Sequence, residues 1–190
     1  MYWLINKKRI LPLTLGLIIS SGAMACFNAC TPEKNNDINT HASGKEIDIP
    51  QFFKSEVSRL NATKPSIQKT VAKDGAEETK TVTVKDWNVE LASFMDVDLN
   101  KVAYIGTFQK DSVAEVVEYR FVKPDLDLSR IRITYNDHKP VAFTIEKSTD
   151  NLLYKTTEHL EYKQGVSYKV EKLQQVKFFN ENAYSIIGKF

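Results

Sequence analysis

The sequence predicts an α+β domain in which a curved antiparallel meander lies over two N-terminal helices, and three observations predict it. Apolar residues recur every three to four positions over residues 48–61 and 86–99, the period of a helix buried on one face. From residue 102 onward the period changes to two, as where Ile131, Ile133 and Tyr135 alternate with Arg130, Arg132 and Thr134. The links between these later runs are short and polar, which favours strands that pair with their sequence neighbours. A sheet with one apolar face needs cover, and the two helices are the elements available to supply it. The sheet is therefore expected as a half-barrel, with a closed small barrel as the alternative.

Ahead of the domain comes a basic start (Lys7, Lys8, Arg9), an apolar run over residues 10–19, and Ser-Ser-Gly-Ala-Met-Ala before Cys26. The run is too short to cross a hydrocarbon core of roughly 30 Å as a permanent helix. Small residues follow it where a signal peptidase needs a narrow, extended substrate, so residues 1–25 read as an export signal. Their order resembles a bacterial lipoprotein signal, in which the cysteine thiol is acylated and becomes the new N-terminus. That resemblance implies lipidation at Cys26, with Cys30 as the alternative and ordinary cleavage after Ala25 as a further one. The three residues before Cys26 are small or apolar, whereas polar Asn28 stands two before Cys30. It also implies a place in the cell envelope, at the outer membrane, with the membrane itself a partner through the lipid anchor.

Loss of the signal changes the charge balance. With Lys7, Lys8 and Arg9 gone and no acid lost with them, 26 basic residues become 23 against 24 acidic ones. The basic surplus belongs to the targeting segment and gives no support to nucleic acid as a partner. Residues 26–47 form a tether: between Thr31 and Lys45 the only large apolar residue is Ile38, too little to offset the entropy of ordering. His41 lies inside it and reads as solvated. Cys26 and Cys30 could hold zinc only with two further ligands, which the chain does not supply at suitable spacing, so no metal and no cofactor is expected. Residues 48–190 make one domain.

In chain order, Asp48-Ile49-Pro50 opens the first helix, the acid accepting free N–H groups and the proline fitting the first turn. Phe52, Phe53, Val57 and Leu60 form its apolar stripe, and Asn61 with Pro65 ends it. Runs over residues 67–73 and 77–84 flank Asp74-Gly75, a pair suited to a tight hairpin turn. Asp86 caps the second helix, and Trp87, Leu91, Phe94 and Met95 form its stripe, which makes Trp87 a core residue. Seven strands follow, over residues 102–109, 113–122, 131–135, 141–146, 152–162, 167–179 and 183–190, with the first turn at Lys110-Asp111.

The search for chemistry is negative. Asp96-Val97-Asp98-Leu99-Asn100 begins like a calcium loop, but Lys101 stands where glycine is needed and Thr107 where glutamate is needed. His138 sits in a hairpin turn beside Asp137, and His159 lies mid-strand; neither has a nucleophile placed beside it. There is no Gly-x-Ser-x-Gly elbow, and Gly75, Gly106, Gly165 and Gly188 are scattered. Glu77, Glu78, Glu115 and Glu118 read as solvated edge charges. No catalytic residue is expected. Tyr154, Tyr162, Tyr168 and Tyr184 line one sheet face, either inside a groove or packed on a helix.

Several segments carry a broader resemblance: Phe-Phe-Lys-Ser-Glu-Val-Ser-Arg-Leu at residues 52–60, Lys-Asp-Trp at 85–87, and the closing Ile187-Gly188-Lys189-Phe190. With the cysteine-ended signal and the polar tether, they resemble exported lipoproteins of Bacteroidota-type bacteria that have no assigned activity. In that setting Asp111-Ser112-Val113 resembles an O-glycosylation sequon, which implies Ser112 as an acceptor, whereas Asn61-Ala62-Thr63 reads as a helix terminus. The expected architecture is similar to that of periplasmic lipoprotein carriers, whose incomplete barrels are closed by helices. Two functions follow as expectations. One is a non-catalytic, lipid-anchored binding module for an envelope protein or glycan. The other is a carrier for a lipid or lipoprotein, in a groove under the sheet lined by Leu60, Phe94, Ile133 and Phe143; an open groove at these residues would favour it and a packed interior would count against it.

Overall fold

The computed structural model describes residues 45–123, 125–179 and 181–190, which belong to one compact unit, His41–Phe190. The expected signal, both cysteines and nearly all of the tether lie outside the described residues.

Helix α1 (Ile49–Thr63) begins where the Asp48 carboxylate accepts the Gln51 N–H at 2.9 Å, and it ends at Lys64, which takes a left-handed conformation (φ 45°). Strands β1 (Ser66–Lys73) and β2 (Ala76–Thr83) form the hairpin expected around Asp74-Gly75. Two four-residue helical turns follow, α2 (Trp87–Glu90) and α3 (Ala92–Met95), then a 3₁₀ turn at Val102–Tyr104. The remaining strands are β3 (Phe108–Val113), β4 (Val116–Phe121), β5 (Leu128–Asn136), β6 (Lys139–Asp150), β7 (Tyr154–Lys163), β8 (Ser167–Val176) and β9 (Asn182–Lys189).

All nine strands form one antiparallel sheet in the order β2-β1-β9-β8-β7-β6-β5-β4-β3. The meander from β3 to β9 is as expected, and the early hairpin joins it through β1 on β9, with Val71 opposite Ile186. Strands β2 and β3 are free edges, so the sheet is open and the closed-barrel alternative falls. The described residues are predominantly β, which corrects the α+β expectation of two covering helices. Only α1 is a helix of ordinary length. The second stripe breaks for a geometric reason: a helix continued past Met95 would bring Asp98 onto the side that carries Trp87, Leu91 and Phe94, and would turn Leu99 away from it. Ending the helix lets Val97 and Leu99 both be buried and frees the Asp98 carboxylate to accept the Asn100 N–H at 2.9 Å.

The strand expected over residues 102–109 is also corrected. Val102 and Ile105 are exposed, Tyr104 is buried with its hydroxyl on Asp127 at 2.5 Å, and Gly106 reverses the chain at φ 71°. Strand β3 therefore runs through Lys110-Asp111, and the turn falls at Ala114-Glu115, where Ala114 takes φ 51° without any glycine, asparagine or proline to announce it.

One core joins the helical side to the sheet. The Phe53 ring sits 4.8 Å from Phe94, 5.1 Å from Tyr162 and 5.2 Å from Phe143. Trp87 packs between Tyr168 and Phe190, at 5.9 and 5.6 Å. Each such side chain removed from water contributes about 1.5–3 kcal/mol, so this aromatic cluster is what holds short helical pieces on a sheet.

Candidate functional site

Polar contacts between the helical side and the sheet follow one pattern, in which a tyrosine of the sheet donates to a glutamate of the covering chain. Tyr119 on β4 donates to Glu46 at 2.8 Å, Tyr168 on β8 to Glu90 at 2.5 Å, and Tyr162 on β7 to Glu56. Each glutamate has further donors: Lys110 on Glu46 at 2.7 Å, Lys69 on Glu90 at 2.8 Å, and Arg59 at 2.5 Å with Gln164 at 3.0 Å on Glu56. Burial pushes the Glu56 carboxyl up, but the hydrogen bonds from Arg59, Tyr162 and Gln164 outweigh it and hold the group below the usual carboxylate range. Burial first, and then the hydrogen bond to a carboxylate, raises Tyr119, Tyr162 and Tyr168 well above an ordinary phenol. These are satisfied structural contacts. Asn100 completes the set by exchanging two hydrogen bonds with the Glu46 backbone, at 2.9 and 3.2 Å, so the segment that began like a calcium loop pins the start of the domain. Among the described residues no cluster of metal-ligating side chains occurs.

A concavity of about 580 Å³ lies on the opposite face of the sheet. Strand pleat identifies the face, because register aligns two rows of outward side chains there. One row is Glu146, His159, Glu171, Ser185 and Ala72; the other is Ser148, Thr157, Leu173 and Ala183. The residues between them, such as Lys147, Glu158 and Lys172, send their side chains to the other face and line the concavity with main chain. From Ser129 on β5 to the Asp74-Gly75 turn of β1 it crosses six strands, a trough about 24 Å long at an interstrand spacing of about 4.8 Å. Along the rows Glu146 pairs with Arg130 at 2.6 Å and Glu171 with Lys169 at 3.0 Å, and the His159 ring is hydrogen-bonded to Glu161 at 2.6 Å, while Lys73 and Asp74 border the end at the β1–β2 turn. What the rows offer is the hydroxyls of Ser148, Thr157 and Ser185 beside Ala72, Leu173 and Ala183; the Ser129 hydroxyl already donates to the Glu146 carbonyl at 3.0 Å.

A smaller polar cavity, about 210 Å³, opens on the helix-facing side beyond the helices. Glu158 sits there between Lys172 at 2.8 Å and Lys147 at 3.2 Å. Burial pushes its carboxyl up, and the two lysines more than reverse that, so it is held below the usual range. Tyr154 borders this cavity and is partly exposed.

The expected groove residues Leu60, Phe94, Ile133 and Phe143 are 0–1% exposed and sit inside the packed core; the concavities described here are lined by other side chains. The tyrosine row is divided. Tyr162 and Tyr168 pack under the helices, while Tyr154 and Tyr184 lie on the same face beyond them. Ser112 is exposed on the edge strand β3, opposite Val117, rather than in the expected turn. It shares a concavity with Glu115, Asp137 and His138, but no hydrogen bond links Ser112, His138 and Asp137, so no nucleophile–base pair is made. Glu118, read as a solvated edge charge, is instead held between Arg120 and Arg132, both at 2.8 Å. The trough itself escaped the sequence, because it depends on which residues of five distant segments come into register. Its only signal was a run of small residues, Ala72, Ser148, Ala183 and Ser185, on polar strand faces.

No protein-family model matches the chain, and no curated protein and no solved structure matches it significantly.

Proposed function

We propose that the chain is a lipid-anchored envelope protein of the Bacteroidota type that acts as a non-catalytic binding module, with the outer-face trough as its recognition surface. One observation carries the reading: the apolar side of the sheet is filled by its own core, whereas the other side keeps a concavity across six strands. The hydroxyl-bearing rows, with Glu146 and Glu171 held by neighbouring cations, suit an extended, uncharged segment of an envelope protein or glycan, bound by hydrogen bonds along its length. Cys26, or Cys30, would carry the lipid, and Ser112 on the exposed edge strand is available for O-glycosylation. Against the carrier alternative, Leu60, Phe94, Ile133 and Phe143 are 0–1% exposed and belong to the buried core cluster.

A photo-crosslinking residue at Ser185 tests this in intact envelopes. A discrete adduct is expected there, absent when the same residue replaces Thr81 on β2 and lost when Ala183→Trp fills the trough. Equal adducts at both positions, insensitive to Ala183→Trp, would contradict the reading.

A further inference from the structure

Two neighbouring hairpin tips carry apolar side chains that the fold leaves in water. Leu152 and Leu153, between β6 and β7, are 88% and 71% exposed; Phe178 and Phe179, after β8, are 93% and 78% exposed. The tips touch, since the Lys177 N–H donates to the Leu153 carbonyl at 2.9 Å. Both are built turns. The Asn151 side chain accepts the N–H groups of Leu153 and Tyr154, at 2.9 and 3.0 Å, and the Phe179 N–H donates to the Val176 carbonyl at 3.0 Å. Phe178 also holds φ 72°, a left-handed conformation that glycine or asparagine adopts readily and a phenylalanine does not. The ring nevertheless stays in water, where turns ordinarily carry small polar residues.

We infer that these tips insert into the interfacial layer of a lipid bilayer. The chain ahead of the described residues argues for this occupant, and here the inference rests on the lipid anchor proposed above. A tether of the length of residues 26–44 would span about 25 Å as a random coil, so an acylated cysteine would hold the domain within reach of a membrane surface, where a weakly inserting patch is enough. The cations fit the same surface. Lys177 lies 5.8 Å from the Phe178 ring centre and has no carboxylate partner among the described residues, while Asp150 is occupied by Lys155 and Glu181 by Gln175. A lysine beside inserted aromatics reaches headgroup level with its charge in water.

The test attaches the domain, through an N-terminal histidine tag and a nickel-chelating lipid, to vesicles of phosphatidylethanolamine and phosphatidylglycerol with brominated acyl chains. Trp87 is buried in the core and serves as a constant background and fold control. The Phe178→Trp variant is expected to show an added emission that shifts to the blue and is quenched by the brominated lipid. Adding Leu152→Ser and Phe179→Ser is expected to return that emission to its position in water, and each serine is expected to weaken partitioning of untagged protein about tenfold or more. An added emission that stays at its water position on attached vesicles would overturn the inference. Acylation of Cys26 is read separately, from the mass of the mature chain, so failure of one reading does not carry the other with it.

Discussion

Glu56 is 4% exposed, yet it is ionised among Arg59, Tyr162 and Gln164. A carboxyl whose folded pKa is lowered adds stability that is present above its unfolded value, 4.5, and lost as pH falls through the folded value. Glu56→Gln is therefore expected to cost about 1–3 kcal/mol at neutral pH, with the deficit against the parent shrinking in acid, as measured by urea unfolding at pH 7 and below pH 4.5. The tyrosines give the opposite edge. Burial and a carboxylate partner raise Tyr104, Tyr119, Tyr162 and Tyr168, so their contribution is complete below the unfolded value of 10.0 and is lost as pH rises past it. Tyrosinate absorbance from these four should emerge only together with loss of the far-ultraviolet β signal. These contacts were not legible in the sequence. Arg59 is three residues from Glu56 on the helix, but its sheet-side partners, Tyr162 and Gln164, lie more than a hundred residues away.

At the scale of elements, period and caps carried far. Asp48 and Pro50 open α1, Asp74-Gly75 turns the first hairpin, and eight of the nine strands are at or near their expected places, β3 being the exception. The misses share a physical cause, a local pattern overruled by tertiary demand. Asp98 stopped a helix because it would have entered the core, and Tyr104 left a strand to reach Asp127. The closing strand gives a further case. Gly188 lies opposite Tyr168, whose ring covers it so closely that an added Cβ would come within 2.0 Å of the ring. Gly188→Ala must displace Tyr168 from Glu90 and is expected to cost about 1–3 kcal/mol, as overpacking does, read as a drop in unfolding midpoint. An unchanged midpoint would mean that the ring moves freely and that its bond to Glu90 contributes little.

For the whole molecule, the sequence showed a sheet with one apolar face but not how that face is used. A curved sheet over two helices was expected to leave a receptacle. The covering turns in fact close on Phe53, Phe94 and Phe143, and the open concavity is on the hydroxyl-lined side. Adjacent strands put Ser148, Thr157, Leu173 and Ala183 in one row only once register is known. The interior is filled, and the proposed recognition surface is the outer face. Native mass spectrometry of the domain purified without its lipid, followed by solvent extraction, tests this most directly. With a filled interior, the expected result is the mass of the polypeptide alone and an extract free of stoichiometric lipid. A lipid or other apolar molecule carried one to one through purification would contradict it and restore the carrier.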